Sequence, residues 1–131
     1  MAVLACPAAA TPQELADAIN SFTGNVVPRA GRVNLDVAPL VENGNTVPIT
    51  ITVDSAMSAD DHVVSVAVFN ERNPQPEVAL FGLGPRAGRA VVATRIRLAT
   101  SQQLVAVARM SDGSFWSHRV DVVVTLAACV E

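Results

Sequence analysis

From residue 33 onward the chain repeats one pattern, in which apolar and mostly β-branched residues occupy every second position. Val33, Leu35 and Val37 alternate with Asn34 and Asp36, and Val47, Ile49, Ile51 and Val53 alternate with Pro48, Thr50 and Thr52. A period of two lines up side chains on one face of an extended strand, whereas a helix would scatter the same residues around its circumference. The period returns in Val92–Leu98, Leu104–Met110 and Phe115–Leu126, with Val78, Leu80 and Leu83 forming a shorter run. His62–Phe69 differs because both of its faces are apolar: Val64, Val66 and Val68 on one, Val63, Ala67 and Phe69 on the other. Such a run belongs at the centre of a sheet, with its second face against a helix or a partner. Pro48 near the start of its run points to an edge strand or a strand beginning, since a central ladder would lose a hydrogen bond there.

Between the runs stand turn residues. Asn73-Pro74-Gln75-Pro76 is a stiff extended turn, and Ser111-Asp112-Gly113-Ser114 suits a hairpin. The glycines of Phe81–Gly88 resemble a phosphate loop superficially, but a strand-like run follows them where a helix is required, so a structural turn is the better reading. Seven or so short strands punctuated in this way predict an all-β, antiparallel sandwich. One helix precedes it. Thr11 can cap, Pro12 suits the first turn, Glu14 stands at the capping-box position, and Leu15, Ala18, Ile19 and Phe22 form one apolar stripe before Gly24.

A chain of 131 residues holds one such domain. The expected division is a disordered or processed segment at 1–10, a sandwich with its helix at 11–126, and a tail at 127–131. Aromatic residues make up 4%, Tyr is absent and Trp116 stands alone, so the core must be built from Val, Ala, Leu and Ile. The helix face, the doubly apolar strand and the Phe115-Trp116 pair are the candidate partner surfaces.

Formal net charge is -3 and every basic residue is Arg. No arginine cluster carries an aromatic platform, which argues against nucleic acid. Arg95 and Arg97 share a strand face and read as a solvated or ion-paired couple, less often as a dock for an anion. No apolar stretch is long enough to span a bilayer. His62 and His118, even with Asp60 and Asp61 beside the first, have no metal-ligand spacing, and no nucleophile elbow is present. Glu42 and Asp60-Asp61 read as surface turn carboxylates. No metal, cofactor or catalytic residue is expected.

Cys129 stands apart. It follows the last strand-like run and an Ala127-Ala128 step, with Val130 and Glu131 beyond it. A free thiol ionises near ~8.5, so little is thiolate at neutral pH, yet it remains the best nucleophile among the common side chains. No neighbouring Lys, His or Arg lowers that value and Glu131 tends to raise it, so activation must come from outside the tail. This fits a carrier better than a self-contained enzyme. Cys6 allows a disulfide with Cys129, which would remove the thiol, and the cysteine count leaves both states open.

Several segments together resemble the SoxY family, the sulfur-carrier subunit of the bacterial thiosulfate-oxidising Sox system. They are Val33–Pro39 with Val41-Glu42-Asn43-Gly44 and Val47-Pro48, the Asn73–Pro76 turn, Thr94–Gln102, the Asp112-Gly113 turn, and Val122–Thr125 before a terminal cysteine. The resemblance implies an immunoglobulin-like sandwich in the periplasm, paired with a SoxZ-like subunit and bearing its substrate on the sulfur of Cys129. It implies a cytochrome that joins thiosulfate to the thiol, a hydrolase that releases sulfate and, in some organisms, a sulfane dehydrogenase. The carrier itself catalyses none of these steps. Where the family typically ends Gly-Gly-Cys-Gly-Gly, this chain has Ala127-Ala128-Cys129-Val130-Glu131. Alanine removes backbone freedom, Val130 is stiff, and Glu131 adds a carboxylate near the sulfur. A carrier with altered partners, or a module that dimerises without carrying sulfur, therefore stands as the alternative.

Overall fold

A computed structural model describes residues 11–73 and 75–125. Helix α1 (Pro12–Thr23) is followed by β1 (Arg29–Ala30), β2 (Val33–Asp36), β3 (Leu40–Val41), β4 (Val47–Val53), β5 (Val63–Asn70) and β6 (Glu77–Gly82). A 3-10 turn (Pro85–Ala87) precedes β7 (Val91–Ile96), β8 (Gln102–Met110) and β9 (Phe115–Val124). The strands make two sheets. The larger has the order β1-β9-β8-β5-β6, with β3 also on β9; the smaller is β2-β4-β7. This is the expected all-β sandwich with its N-terminal helix, and seven of the strands are those that the period of two marks.

The other two strands, β1 and β3, are two residues long, too short to show a period. Both lie parallel to β9, whereas the other pairings are antiparallel. They cover parts of the side of β9 that β8 leaves free.

Between the sheets, Leu35, Ile49 and Ile51 meet Val66, Val68, Leu104, Ala106 and Ala108 in one buried cluster. The opposite face of the larger sheet forms a second cluster, where Ala67, Phe69, Val105, Val107 and Phe115 take Leu15 and Ile19 of α1. Phe22 meets Phe69 and Phe115 edge-on, with centroids 5.9 and 6.0 Å apart. The doubly apolar strand and the apolar helix face thus cover each other, and neither is left for a partner. The helix is held at both ends. The Glu14 N–H donates to Thr11 Oγ1 at 3.1 Å, and Gly24 closes the helix in the left-handed conformation (φ 66°) that glycine adopts without strain.

Two local expectations need correction. A bulge between Val63 and Ser65 turns Val63 into the sandwich core with Val66 and Val68, and leaves Val64 half-buried. Pro48 lies in β4, the middle strand of its sheet, not in an edge strand. It is tolerated because β2 pairs with β4 only from Thr50 onward, so Pro48 has a neighbour on one side, Arg95 of β7.

The β8–β9 hairpin turns at Gly113 (φ 85°), and Asp112 Oδ1 accepts from both the N–H and the hydroxyl of Ser114. These bonds hold the Asp112 carboxyl below its ordinary value of 3.8, the Ser114 hydroxyl contributing most. Because the folded value is the lower one, this contribution is complete above pH 3.8 and is lost as pH falls through the folded value. Asp112→Asn is therefore expected to lower the melting temperature at neutral pH, with the gap to the parent chain closing in acid titration.

Phe69 is fully buried at the meeting of sheet and helix. Phe69→Ala should cost about 3–5 kcal/mol, a large fraction of the stability of a small domain, measurable by chemical denaturation.

Candidate functional site

Cys129 and its neighbours Ala127, Ala128, Val130 and Glu131, like Cys6, lie outside the described residues. The structure does fix the point from which that segment departs. β9 ends between two clamps. The Val124 N–H donates to Ser101 Oγ at 2.7 Å, and the Thr125 N–H donates to Val41 O at 3.0 Å while its hydroxyl reaches Glu42 O at 3.1 Å. Ser101 precedes β8 and Val41 belongs to β3, so the last described residue is gripped from both sides. Four residues separate Thr125 from Cys129, and a fully extended chain confines the Cys129 Cα to within about 14 Å of it.

Beside this exit the fold is braced by buried amides. The Asn73 N–H donates to Asn70 Oδ1, Asn73 Nδ2 donates to Arg97 O at 2.8 Å, and Asn73 Oδ1 accepts from the Ala99 N–H and from Gln102 Nε2, both at 2.9 Å. Asn70 Nδ2 donates to the carbonyls of Gln75 and Pro76, and Gln102 Oε1 accepts from the Arg72 N–H. Asn70, Asn73 and Gln102 are all buried, and their bonds join the β5–β6 turn to the β7–β8 connection. Sequence reasoning took Asn73 as part of a proline turn and missed the network. The signal available was an amide at each end of an apolar run, Asn70 after Phe69 and Gln102 before Leu104. The Leu98 N–H donates to Gly44 O, tying the same connection to the loop that follows β3.

The remaining polar candidates are dispersed. His62 lies at the opposite end, its Nδ1 at 3.0 Å from Ser58 O and its N–H bonded to Ser111 Oγ. Asp61 accepts from Arg32 at 3.3 Å and from Ser55 Oγ. His118, midway along β9, accepts the Leu35 N–H of β2 through Nδ1 at 2.9 Å, which puts the ring proton on Nε2 and ties one sheet to the other. Among the described residues no three His, Cys, Asp or Glu side chains converge as metal ligands. Glu42 and Asp60 are exposed. Phe115 is packed against the helix, while half-buried Trp116 lies under the guanidinium groups of Arg29 and Arg32, 5.8 and 5.6 Å from its ring. Gly82, Gly84 and Gly88 belong to the end of β6 and the 3-10 turn, which is the structural turn expected of them. No helix among the described residues is long and apolar enough to cross a membrane.

The architecture is thus an immunoglobulin-like sandwich that braces the root of a cysteine-bearing segment. Its relatives say which one. The family model for the sulfur oxidation protein SoxY matches residues 19–129, most of the chain and including Cys129, so the chain belongs to the SoxY family and has a role in sulfur oxidation. The sulfur carrier protein SoxY from Chlorobium limicola f thiosulfatophilum superposes with a TM-score of 0.71 at 25% identity, covering 85% of this chain and 91% of that one. Superoxide reductase (neelaredoxin) from Ignicoccus hospitalis matches at TM-score 0.64 and 13% identity, over 88% of this chain and 94% of that chain. A putative superoxide reductase from Thermotoga maritima matches at 0.60 and 18%, over 79% and 89%. At such identities these two share the fold alone. No curated protein sequence matches the chain.

Asn73→Ala would strand the Ala99 N–H and the Gln102 amide in a buried site, at a cost of about 2 kcal/mol or more. Hydrogen exchange should then accelerate at Ala99 and along the start of β8, while amides at the Asp112 hairpin keep their protection.

Proposed function

We propose that this chain is a covalent sulfur carrier, with Cys129 as the attachment point. The observation that carries the reading is the SoxY match, which extends through the last strand to Cys129. Two features support it. Thr125 is held fast at the end of β9, giving the four-residue arm a fixed origin. The histidines and carboxylates of the described residues are spread over both ends of the sandwich and serve as structural bonds, as expected of a protein that leaves the chemistry to others.

The first step joins the Cys129 thiol to the sulfane sulfur of thiosulfate. One S–S bond forms, the thiol proton leaves, and two electrons pass to the Sox cytochrome. Hydrolysis by the partner hydrolase then breaks the bond between sulfane and sulfonate sulfur. Water supplies the fourth oxygen of sulfate, two protons are released, and a persulfide stays on Cys129. A sulfane dehydrogenase would oxidise that remaining sulfur. The working assembly is a heterodimer with a SoxZ-like subunit in the periplasm, where disulfides persist and Cys6 could compete for the thiol.

Incubation with thiosulfate and the oxidising Sox partners is expected to leave an S-sulfonate adduct that mass spectrometry maps to Cys129, lost in Cys129→Ser and kept in Cys6→Ser. An unmodified thiol, with the same partners active on a standard carrier, would sink the proposal. The tail favours one competing reading. Ala127, Ala128 and Val130 stiffen it and Glu131 repels an attached anion, as suits a module that keeps its partner and has lost or altered sulfur carriage. In that case Cys129→Ser leaves both co-purification with the SoxZ-like subunit and sulfur turnover unchanged.

A further inference from the structure

The exposed strand edges are treated unequally. On one side of the sandwich they are closed: β1 and β3 lie along β9, and His118 takes the outward Leu35 N–H of β2. On the other side β7 carries Arg95, a charged side chain of the kind that keeps an edge from pairing. β6 has no such protection. Its Val78-Ala79-Leu80-Phe81 run is apolar, no residue of the strand is buried, and Leu80 is 55% exposed. No charge interrupts the stretch between Glu77 and Arg86, and beside the strand runs an open groove of about 630 Å³ shared with β7.

The direction of the free main-chain groups follows from the ladder. The Leu83 N–H donates to Val64 O on β5, and successive residues of an antiparallel strand point alternately to either side. Phe81 and Ala79 therefore face β5, while the N–H and C=O groups of Leu80 and Gly82 face outward. Among the described residues nothing bonds to these outward groups.

We infer that β6 is a self-pairing edge, which joins antiparallel to β6 of a second copy about a two-fold axis at Phe81. A two-fold interface must be complementary to itself, and this edge is. With Phe81 on the axis, Leu80 stands opposite Gly82 of the second copy, so the outward groups of both residues are satisfied reciprocally. The same register sets Glu77 opposite Pro85 and next to Arg86 of the second copy. Within one chain neither Glu77 nor Arg86 has an ion-pair partner among the described residues. The pairing does not involve Cys129 and stands apart from sulfur carriage.

Sedimentation of the chain in reductant, which removes any disulfide contribution, tests this. The chain should dimerise reversibly. Leu80→Pro deletes an outward N–H and leaves the β5 ladder intact, so with an unchanged circular dichroism spectrum it should raise the dimer dissociation constant at least about tenfold, the worth of two lost main-chain bonds. Glu77→Arg should weaken the dimer and the double variant Glu77→Arg/Arg86→Glu should restore it, which tests the register without touching the strand interior. A chain that stays monomeric up to about 1 mM, a dimer indifferent to Leu80→Pro, or a double variant no better than the single would overturn the inference.

Discussion

Burial of both faces of β5 and β8 is the constraint on which the molecule depends. These adjacent strands place Val66, Val68, Leu104, Ala106 and Ala108 between the sheets, and Ala67, Phe69, Val105 and Val107 under the helix. A chain with so few aromatic residues gains little from any single side chain, so it must use both sides of its central strands. At about 25 cal/mol per Å² of apolar surface, a second buried face contributes as much as the first, provided that something covers it. The helix meets that need, which is why its stripe of Leu15, Ile19 and Phe22 faces inward and why its cap at Thr11 matters to the sheet beneath.

Main-chain hydrogen bonding imposes the second constraint. A sandwich has open edges by construction, and each must be capped, charged or paired. Capping of β9 by β1 and β3 has a functional consequence, because the contact that covers the strand also grips its end. Thr125 is fixed by Val41 and Glu42, and Val124 by Ser101, so the arm leaves from a rigid point beside a buried amide network. His118 belongs to the same set of devices. It is an edge cap made from a side chain, in which the imidazole supplies the acceptor that a neighbouring strand would otherwise provide.

Much of this was legible in the sequence. The seven long strands, the helix with both caps, the central place of the doubly apolar run and the hairpin at Asp112-Gly113 all follow from local patterns, where side-chain period and turn chemistry act over a few residues. What escaped were pairings between segments distant in the chain. Two-residue strands have no period to detect, and the bulge at Val63–Ser65 moves a valine across the sheet without a local sign. The roles of Asn73, Gln102 and His118 depend on partners some 24 to 83 residues away. Histidine in particular could not be read from its neighbours, since His118 and His62 have similar polar surroundings in sequence and quite different bonds in the fold.

The arm itself raises a question of mechanics. A carrier cysteine must enter the active sites of other proteins, and its freedom to do so is set by the residues between a fixed root and the sulfur. With Thr125 immobilised, reach is limited to about 14 Å, and every restriction within those few residues counts directly against the range of orientations available. Glycine would give the widest range. Alanine at 127 and 128 narrows it to conformations allowed for a residue with a Cβ, and a β-branched residue at 130 narrows it further. Such an arm loses less entropy when one partner holds it in one conformation, and adapts less well to several partners of different shape. Loss of glycine therefore shifts the balance from versatility toward selectivity. A chain that kept the braced root and stiffened only the arm is physically suited to a narrow set of partner sites, with the sulfur presented at a nearly constant distance from the sandwich.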